Sequence, residues 1–111
     1  MKGMSKGVGR DIGFTKAIIT PERSNHIFSK KPGKLLDTKA NRSLLIELSS
    51  NPKHLLGVDR FGVKWYAKIN ANGRQIYSTV NKKGEITGAG IHEIPRSFSK
   101  ANGLRKKQTP K

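Results

Sequence analysis

The stretch VKWYAKI, residues 63–69, limits the possible folds of this chain more than any other feature. Its apolar side chains fall at every second position, which is typical of a β-strand with one buried face. The turn sequence NANG leads from it to a second short run, RQIYSTV, and the turn sequence NKKG leads on to a third, EITGAGI. This spacing predicts a three-stranded antiparallel meander.

The two turns also predict how the strands pair. If the Asn-Gly of the first turn forms a two-residue turn, Trp65 pairs with Val80 and apolar residues meet on one face. If the second turn is a three-residue loop with a left-handed Gly84, Val80 also pairs with Ile86, and Thr79 pairs with Thr87. The opposite face would then collect hydroxyl, amide and amine groups from Tyr66, Lys68, Gln75, Tyr77, Thr79 and Thr87.

A helix is predicted ahead of the sheet. Leucines recur at helical spacing through KANRSLLIELSS, the side chains of Asp37 and Thr38 can cap its start, and Pro52 limits its end. The Pro- and Gly-containing segment 21–34 is expected to be a loop around a short HIF element, and 53–62 a loop that leads into the sheet. The predicted fold class is therefore α+β, with an N-terminal helix or helices packed on a small twisted antiparallel sheet.

The length of 111 residues fits one domain. We expect a basic mobile arm or linker over 1–20, a single domain over 21–97 and a basic C-terminal tail over 98–111. The short run FTKAII within the arm is compatible with a helix or an extended lead-in. The absence of cysteine excludes disulfide scaffolds and thiolate metal sites.

The charge of the chain indicates a polyanionic partner. It carries 23 Lys and Arg against 7 Asp and Glu, a formal net charge of +16. So many positive charges repel one another in a compact chain, which indicates that they serve to bind a polyanion. A phosphate backbone is the usual polyanion. An anionic membrane is disfavoured because the sequence has no long apolar run and no strongly amphipathic basic helix. An acidic protein remains an alternative.

The residue types favour a reaction on RNA that needs no metal and no cofactor. A two-metal nuclease requires clustered carboxylates, and the seven acidic residues are widely spread. Metal-free cleavage instead uses the RNA 2′-hydroxyl as nucleophile and needs a proton acceptor and a proton donor. Histidine is the usual choice. His26, beside Arg23, Lys30 and Lys31, is the predicted catalytic base or acid, and His92 is a possible second one.

The segment DTKANRSLL resembles the tRNA-cleaving domain of colicin D and related polymorphic toxins, including the tips of contact-dependent growth inhibition toxins. The resemblance covers roughly residues 20–94. Three parts of the sequence match in order. They are His26 in a basic loop, the helix start Asp37-Thr38-Lys39-Ala40-Asn41-Arg42, and the stretch Lys83-Gly84-Glu85-Ile86-Thr87-Gly88. A tryptophan that follows this stretch in colicin D is absent here, where Ala89 and Gly90 stand.

The resemblance implies the fold of the barnase–EndoU–colicin–RelE-like superfamily and cleavage of tRNA to a 2′,3′-cyclic phosphate. It implies that His26 is catalytic, that Arg23 stands where a lysine is expected, and that Thr87 stands where a serine is expected. It further implies an antibacterial, bacteriocin-like toxin domain. Such a domain is delivered as the tip of a larger secreted or cell-surface toxin and acts in the cytoplasm of a target cell. An acidic immunity protein would neutralise it, with the domain monomeric in that complex.

These inferences give two sets of candidate residues. The predicted catalytic set is His26, Arg23, Thr87, Tyr77 and Thr79. The predicted nucleic-acid-binding set is Lys30, Lys31, Arg42, Tyr66, Lys68, Gln75 and His92. The main alternative is a non-catalytic basic module that binds RNA or DNA, and a further one is a deoxyribonuclease toxin.

Overall fold

The computed structural model describes residues 16–104. Two helices, α1 (Pro21–Ile27) and α2 (Lys39–Ser50), precede a 3-10 turn at Pro52–His54. Four strands follow: β1 (Leu55–Val58), β2 (Lys64–Ile69), β3 (Gln75–Val80) and β4 (Ile86–His92). The strands form one antiparallel sheet in the order β1-β2-β3-β4. The molecule thus has the predicted α+β fold, with both helices before the sheet.

Helix α2 begins and ends where the sequence predicted. The Thr38 hydroxyl accepts a hydrogen bond of 3.0 Å from the amide of Asn41, which is one of the amides without a partner inside the helix. Leu45 and Leu48 of this helix are fully buried against the sheet. The loop predicted over 21–34 is wrong in its first half, because α1 occupies it. Pro21 lies in the first turn of α1, where its missing N–H costs no hydrogen bond.

The first hairpin differs from the predicted register by one residue. The Asn70 amide donates to the Arg74 carbonyl at 2.8 Å, so the loop has three residues and ends in Gly73 with φ of 86°. Trp65 therefore pairs with Thr79, and the predicted pairing of Trp65 with Val80 is wrong. The loop of the second hairpin is confirmed, since Gly84 has φ of 84° and Val80 pairs with Ile86. The predicted pairing of Thr79 with Thr87 is wrong, because a bulge after this pair sets Thr79 opposite Gly88.

Strand β1 lies within the segment 53–62, which was predicted to be a loop, so that prediction is wrong over Leu55–Val58. The strand pairs with β2 and is joined to it by a loop of the same kind, in which the amide of Asp59 donates to the Val63 carbonyl and Gly62 has φ of 83°. The three hairpins thus share one pattern, in which an Asn or Asp is followed three residues later by a left-handed glycine.

The one-residue shift decides which side chains share a face. Tyr66 pairs with Ser78 and lies on the helix side, and Lys68 lies there too because it pairs with Ile76. The predicted grouping of Tyr66 and Lys68 with Tyr77 and Gln75 is therefore wrong. The helix-side core comprises Ala17, Ile27, Phe28, Leu35, Leu45, Leu48, Tyr66, Ile76, Val80, Ile86 and Ala89.

A second, smaller apolar cluster covers the other face of the sheet. Trp65, Ala67 and Leu104 are buried in it, with Val63, Tyr77 and Phe98 packed around them. Residues 98–104, which fall in the predicted tail, thus form part of this cluster. At the other end, the Ile18 amide donates to the Gly84 carbonyl at 3.0 Å. The extended residues 16–20 therefore belong to the packed domain, whereas the rest of the predicted arm and of the tail lies outside the described residues.

No helix within residues 16–104 has the length and apolarity that crossing a membrane requires.

Candidate functional site

The candidate site lies on strands β3 and β4, on the face turned away from the helices. Cross-strand pairing sets Gln75 beside His92 and Tyr77 beside Gly90. Because Gly90 has no side chain, the ring of Tyr77 crosses over it. A Cβ at position 90 would lie 3.0 Å from the Tyr77 hydroxyl and 2.7 Å from the carbonyl oxygen of Gly33. The Tyr77 hydroxyl thus points toward the outer edge of β4.

Three rings form a ladder across this face. The Tyr77 ring stacks on His92 with centroids 4.6 Å apart and on Trp65 with centroids 5.9 Å apart. Trp65 is buried, whereas Tyr77 and His92 are half-exposed. The buried end fixes the ladder, and its exposed end is a surface on which a nucleic-acid base can stack.

Two of the predicted hydroxyl groups meet at the start of β4. The hydroxyl oxygens of Thr79 and Thr87 are 2.7 Å apart, at the bulge where β4 gains one residue over β3. Thr79 is mostly buried and Thr87 is half-exposed. Thr87 is therefore the member of this pair that solvent, or a phosphate, can reach.

His26 lies in the last turn of α1, and its side chain is exposed. Its imidazole makes no hydrogen bond or ion pair with another residue of the described range. The backbone position is nevertheless fixed, because the ammonium of Lys34 binds the His26 carbonyl at 3.3 Å and the Ala89 carbonyl at 3.4 Å. The backbone of His26 therefore lies at the outer edge of β4, beside Ala89.

Arg23, one turn before His26, reaches toward the start of β4. Its Nε lies 3.5 Å from a carboxylate oxygen of Glu85, two residues before Thr87. A hydrogen bond from Asn81, followed by the charge of Arg23, lowers the pKa of Glu85. The carboxylate thus stays ionised and holds Arg23 at the start of β4.

His92 lies at the opposite end of β4 from Thr87 and is held by Gln75. The Nδ1 of His92 is 2.7 Å from the Oε1 of Gln75. Gln75 is buried, and its amide also bonds the backbone of Arg96, with Oε1 accepting from the Arg96 amide and Nε2 donating to its carbonyl, both at 3.1 Å. Burial and the neighbouring charge of Arg96 lower the pKa of His92 to about 4.

The other predicted binding residues are dispersed. Lys30 and Lys31 are exposed on the loop after α1, close to His26. Arg42 forms a two-pronged ion pair with Asp37 and lies over the Phe28 ring, and its hydrogen bonds lower the pKa of Asp37. Tyr66 is buried in the helix-side core, and burial raises the pKa of its hydroxyl. That burial removes the surface that stacking on a base would require.

Two cations of this region are absent from the predicted sets of site residues. Lys34 joins α1 to β4, and Arg96 orients Gln75 and lies near His92. Lys34 follows the turn sequence KKPG. That sequence predicts a loop, but it does not indicate that the loop packs against β4.

Within residues 16–104, no group of three or more His, Asp or Glu side chains is arranged to hold a metal ion. Comparison of the chain with protein-family models, with curated proteins and with solved structures finds no match.

Proposed function

We propose that this chain is a metal-independent RNA endonuclease of the toxin type, with tRNA as its substrate and an acidic immunity protein as its inhibitor. The observation that carries the proposal is the ammonium of Lys34 bound to the carbonyls of both His26 and Ala89. It ties the helix that bears the predicted catalytic histidine to β4, which carries Thr87 and His92 and pairs with the strand of Tyr77.

The charge of the surface around this edge supports an RNA substrate. Lys30 and Lys31 are exposed beside His26, and no lysine of the described residues takes part in an ion pair. These ammonium groups can therefore neutralise phosphates and release their counterions. Tyr77 lies between Trp65 and His92, so the stacking surface for a base is the face of the His92 ring that Tyr77 does not cover. RNA is favoured over DNA because its unpaired bases can stack on an exposed ring and because the proposed reaction requires a 2′-hydroxyl.

The proposed reaction is an attack of the 2′-hydroxyl on the adjacent phosphorus. The 2′-hydroxyl gives its proton to a general base as its oxygen bonds to phosphorus, the bond from phosphorus to the 5′-oxygen breaks, and that oxygen leaves with a proton donated by His26. The products carry a 2′,3′-cyclic phosphate and a 5′-hydroxyl. Lys34 and Arg23 lie along the same edge and stabilise the negative charge of the transition state.

The test is incubation of the full chain with total tRNA in EDTA. Discrete fragments with cyclic phosphate ends are expected from the natural sequence. His26→Ala should slow their formation at least roughly 100-fold, the usual contribution of a proton-transfer group. His54→Ala is the matched control, because His54 lies after α2 in the 3-10 turn and outside this edge.

Two outcomes would contradict the proposal. Tight binding of tRNA without any fragment would identify a non-catalytic RNA-binding module. Degradation of plasmid DNA that depends on added divalent metal would identify a deoxyribonuclease. Fragments that form equally fast with His26→Ala would remove His26 from the reaction while leaving the ribonuclease activity in place.

A further inference from the structure

The amide of Gln75 can adopt only one orientation in this structure. The Arg96 backbone uses both ends of it, since the Arg96 amide donates to Oε1 and the Arg96 carbonyl accepts from Nε2. A flipped amide would set donor against donor and acceptor against acceptor. Oε1 therefore faces His92 as an acceptor.

The orientation of Gln75 determines the tautomer of His92. An amide oxygen can only accept, so the Nδ1 of His92 at 2.7 Å must carry the proton and donate it. In a neutral imidazole the other nitrogen, Nε2, then holds the free lone pair. No residue of the described range bonds this Nε2, and His92 is half-exposed. The lone pair is accordingly open to a ligand from solvent.

The ring of His92 is also fixed in its plane. It lies against Tyr77 with an interplanar angle of 18°, and Tyr77 in turn lies against the buried Trp65. Position, plane and tautomer of the imidazole are thus all determined before any substrate binds. Such preorganisation is what a proton-accepting group in catalysis requires.

We infer that His92 is the general base of the proposed endonuclease and that Gln75 is its positioning residue. This inference rests on the proposed function. The Nε2 of His92 takes the proton of the attacking 2′-hydroxyl as the 2′-oxygen bonds to phosphorus, while His26 protonates the leaving 5′-oxygen. The imidazolium formed on His92 then releases its proton to water. The two histidines thus have separate roles on either side of the phosphate.

The backbones of the two histidines lie at the same edge of the sheet. The His26 carbonyl shares the ammonium of Lys34 with the Ala89 carbonyl, and His92 follows Ala89 by three residues, which is about 10 Å along a strand. For both imidazoles to flank one phosphate, the exposed side chain of His26 must reach over the outer edge of β4 toward the face that carries His92. The low pKa of free His92 keeps it neutral, and a bound phosphate anion would raise that pKa toward the working range of a base.

The decisive variant is His92→Asn. The side-chain amide of asparagine can still donate to Gln75 at the position of Nδ1, but it has no group equivalent to Nε2. We expect tRNA cleavage at saturating substrate to fall at least roughly 100-fold, a far larger effect than the change in tRNA affinity that fluorescence anisotropy measures for the same variant. His54→Asn is the matched control and should cleave normally.

Gln75 is tested through the pH profile. In Gln75→Glu an acidic oxygen faces His92 and raises its pKa, so the acidic limb of the kcat/KM profile should move to higher pH. In Gln75→Met the anchor is lost, and kcat should fall with little change in KM. A purely structural Gln75 would lower the amount of folded protein and leave the position of the limb unchanged.

A measurement without substrate tests the tautomer directly. The ¹⁵N chemical shifts of the imidazole should show a protonated Nδ1 and an unprotonated Nε2 at neutral pH. An Nε2-protonated ring would overturn the inference. Cleavage by His92→Asn at the natural rate would also overturn it and leave the ribonuclease intact, whereas a natural chain that cleaves no RNA in EDTA would remove both proposals together.

Discussion

The indole Nε1 of Trp65 donates a hydrogen bond of 2.9 Å to the Oδ2 of the buried Asp59. The other carboxylate oxygen of Asp59 accepts from the amides of Phe61 and Val63, at 2.9 and 3.0 Å. One carboxylate thus closes the loop between β1 and β2 and holds the buried end of the Trp65–Tyr77–His92 ladder. Asp59 therefore connects the loop between β1 and β2 to the candidate site.

Asp59→Ala should therefore lower the free energy of unfolding by about 3 kcal/mol, because it leaves buried donors without an acceptor. Asp59→Asn should cost less, since one amide oxygen still serves the loop. Urea denaturation gives both values. The control is Asp37→Ala, which removes an exposed carboxylate and should have a much smaller effect. Equal effects of the two alanine variants would contradict this account of Asp59.

A second prediction concerns the hydroxyl pair that joins α2 to the sheet. Ser49 and Ser78 are buried with their oxygens 2.6 Å apart, in a core that is otherwise apolar. Either single alanine variant should cost about 1–3 kcal/mol, because the remaining hydroxyl stays buried without its partner. The double variant should cost less than the sum of the two. A double-mutant cycle by thermal or urea unfolding measures this coupling, and strict additivity would show that the hydroxyls do not depend on each other.

The comparison of sequence with structure shows where local signals suffice. The cap at Thr38 and the leucines of α2 lie within one element, and the sequence predicted them correctly. The loop before Gly84 was also predicted, since its length and its glycine specify one turn geometry. Helix α1 was missed because seven residues carry too little periodicity, and its stability depends on the packing of Ile27.

The prediction of which side chains share the face of the candidate site depended on the length of the first hairpin loop, which was wrong by one residue. NANG and NKKG form the same three-residue loop, but the Asn-Gly pair suggested a two-residue turn in the first. That error exchanged the faces of β2 relative to β3, so Tyr66 and Lys68 were grouped with Tyr77 although they lie on the helix side. The meeting of Lys34, His26 and Ala89 joins residues far apart in the chain, and no local pattern indicates it.

A third prediction concerns the C-terminal segment. Gly103 has φ of 64°, and a Cβ there would overlap the Trp65 indole. Gly103→Ala should therefore lower the free energy of unfolding by about 3 kcal/mol through strain and overpacking. Gly84→Ala is the control. Gly84 has a similar φ, but a Cβ there meets nothing within 4 Å, so only the backbone strain of about 1–2 kcal/mol applies.

Removal of the same segment gives an independent test. A chain that ends at Ser97 should be much less stable than one that ends at Leu104, because it exposes the apolar cluster around Trp65 and Ala67. Circular dichroism during thermal unfolding would show this as a lower Tm. A chain ending at Ser97 that unfolds at the same temperature would show that residues 98–104 add nothing to the fold.

The fourth prediction is a loss of stability on mild acidification that comes from His92. Its pKa falls from the usual 6.5 to about 4 on folding, because burial and then the charge of Arg96 disfavour the imidazolium. The unfolded chain therefore binds this proton first, and protonation favours unfolding. Stability from His92 is complete above about pH 6.5, falls as the pH drops from there toward about 4, and changes no further below that.

His92→Asn removes this titration and should flatten the dependence of the urea midpoint on pH across that window. His54→Asn should retain the loss, because His92 remains intact in it. Glu85 and Asp37, whose pKa values are lowered on folding, add their own losses below their usual values of 4.5 and 3.8. The upper part of the window is therefore the informative range. An identical slope there for His92→Asn and the natural chain would show that His92 is as easily protonated in the folded protein as in the unfolded chain.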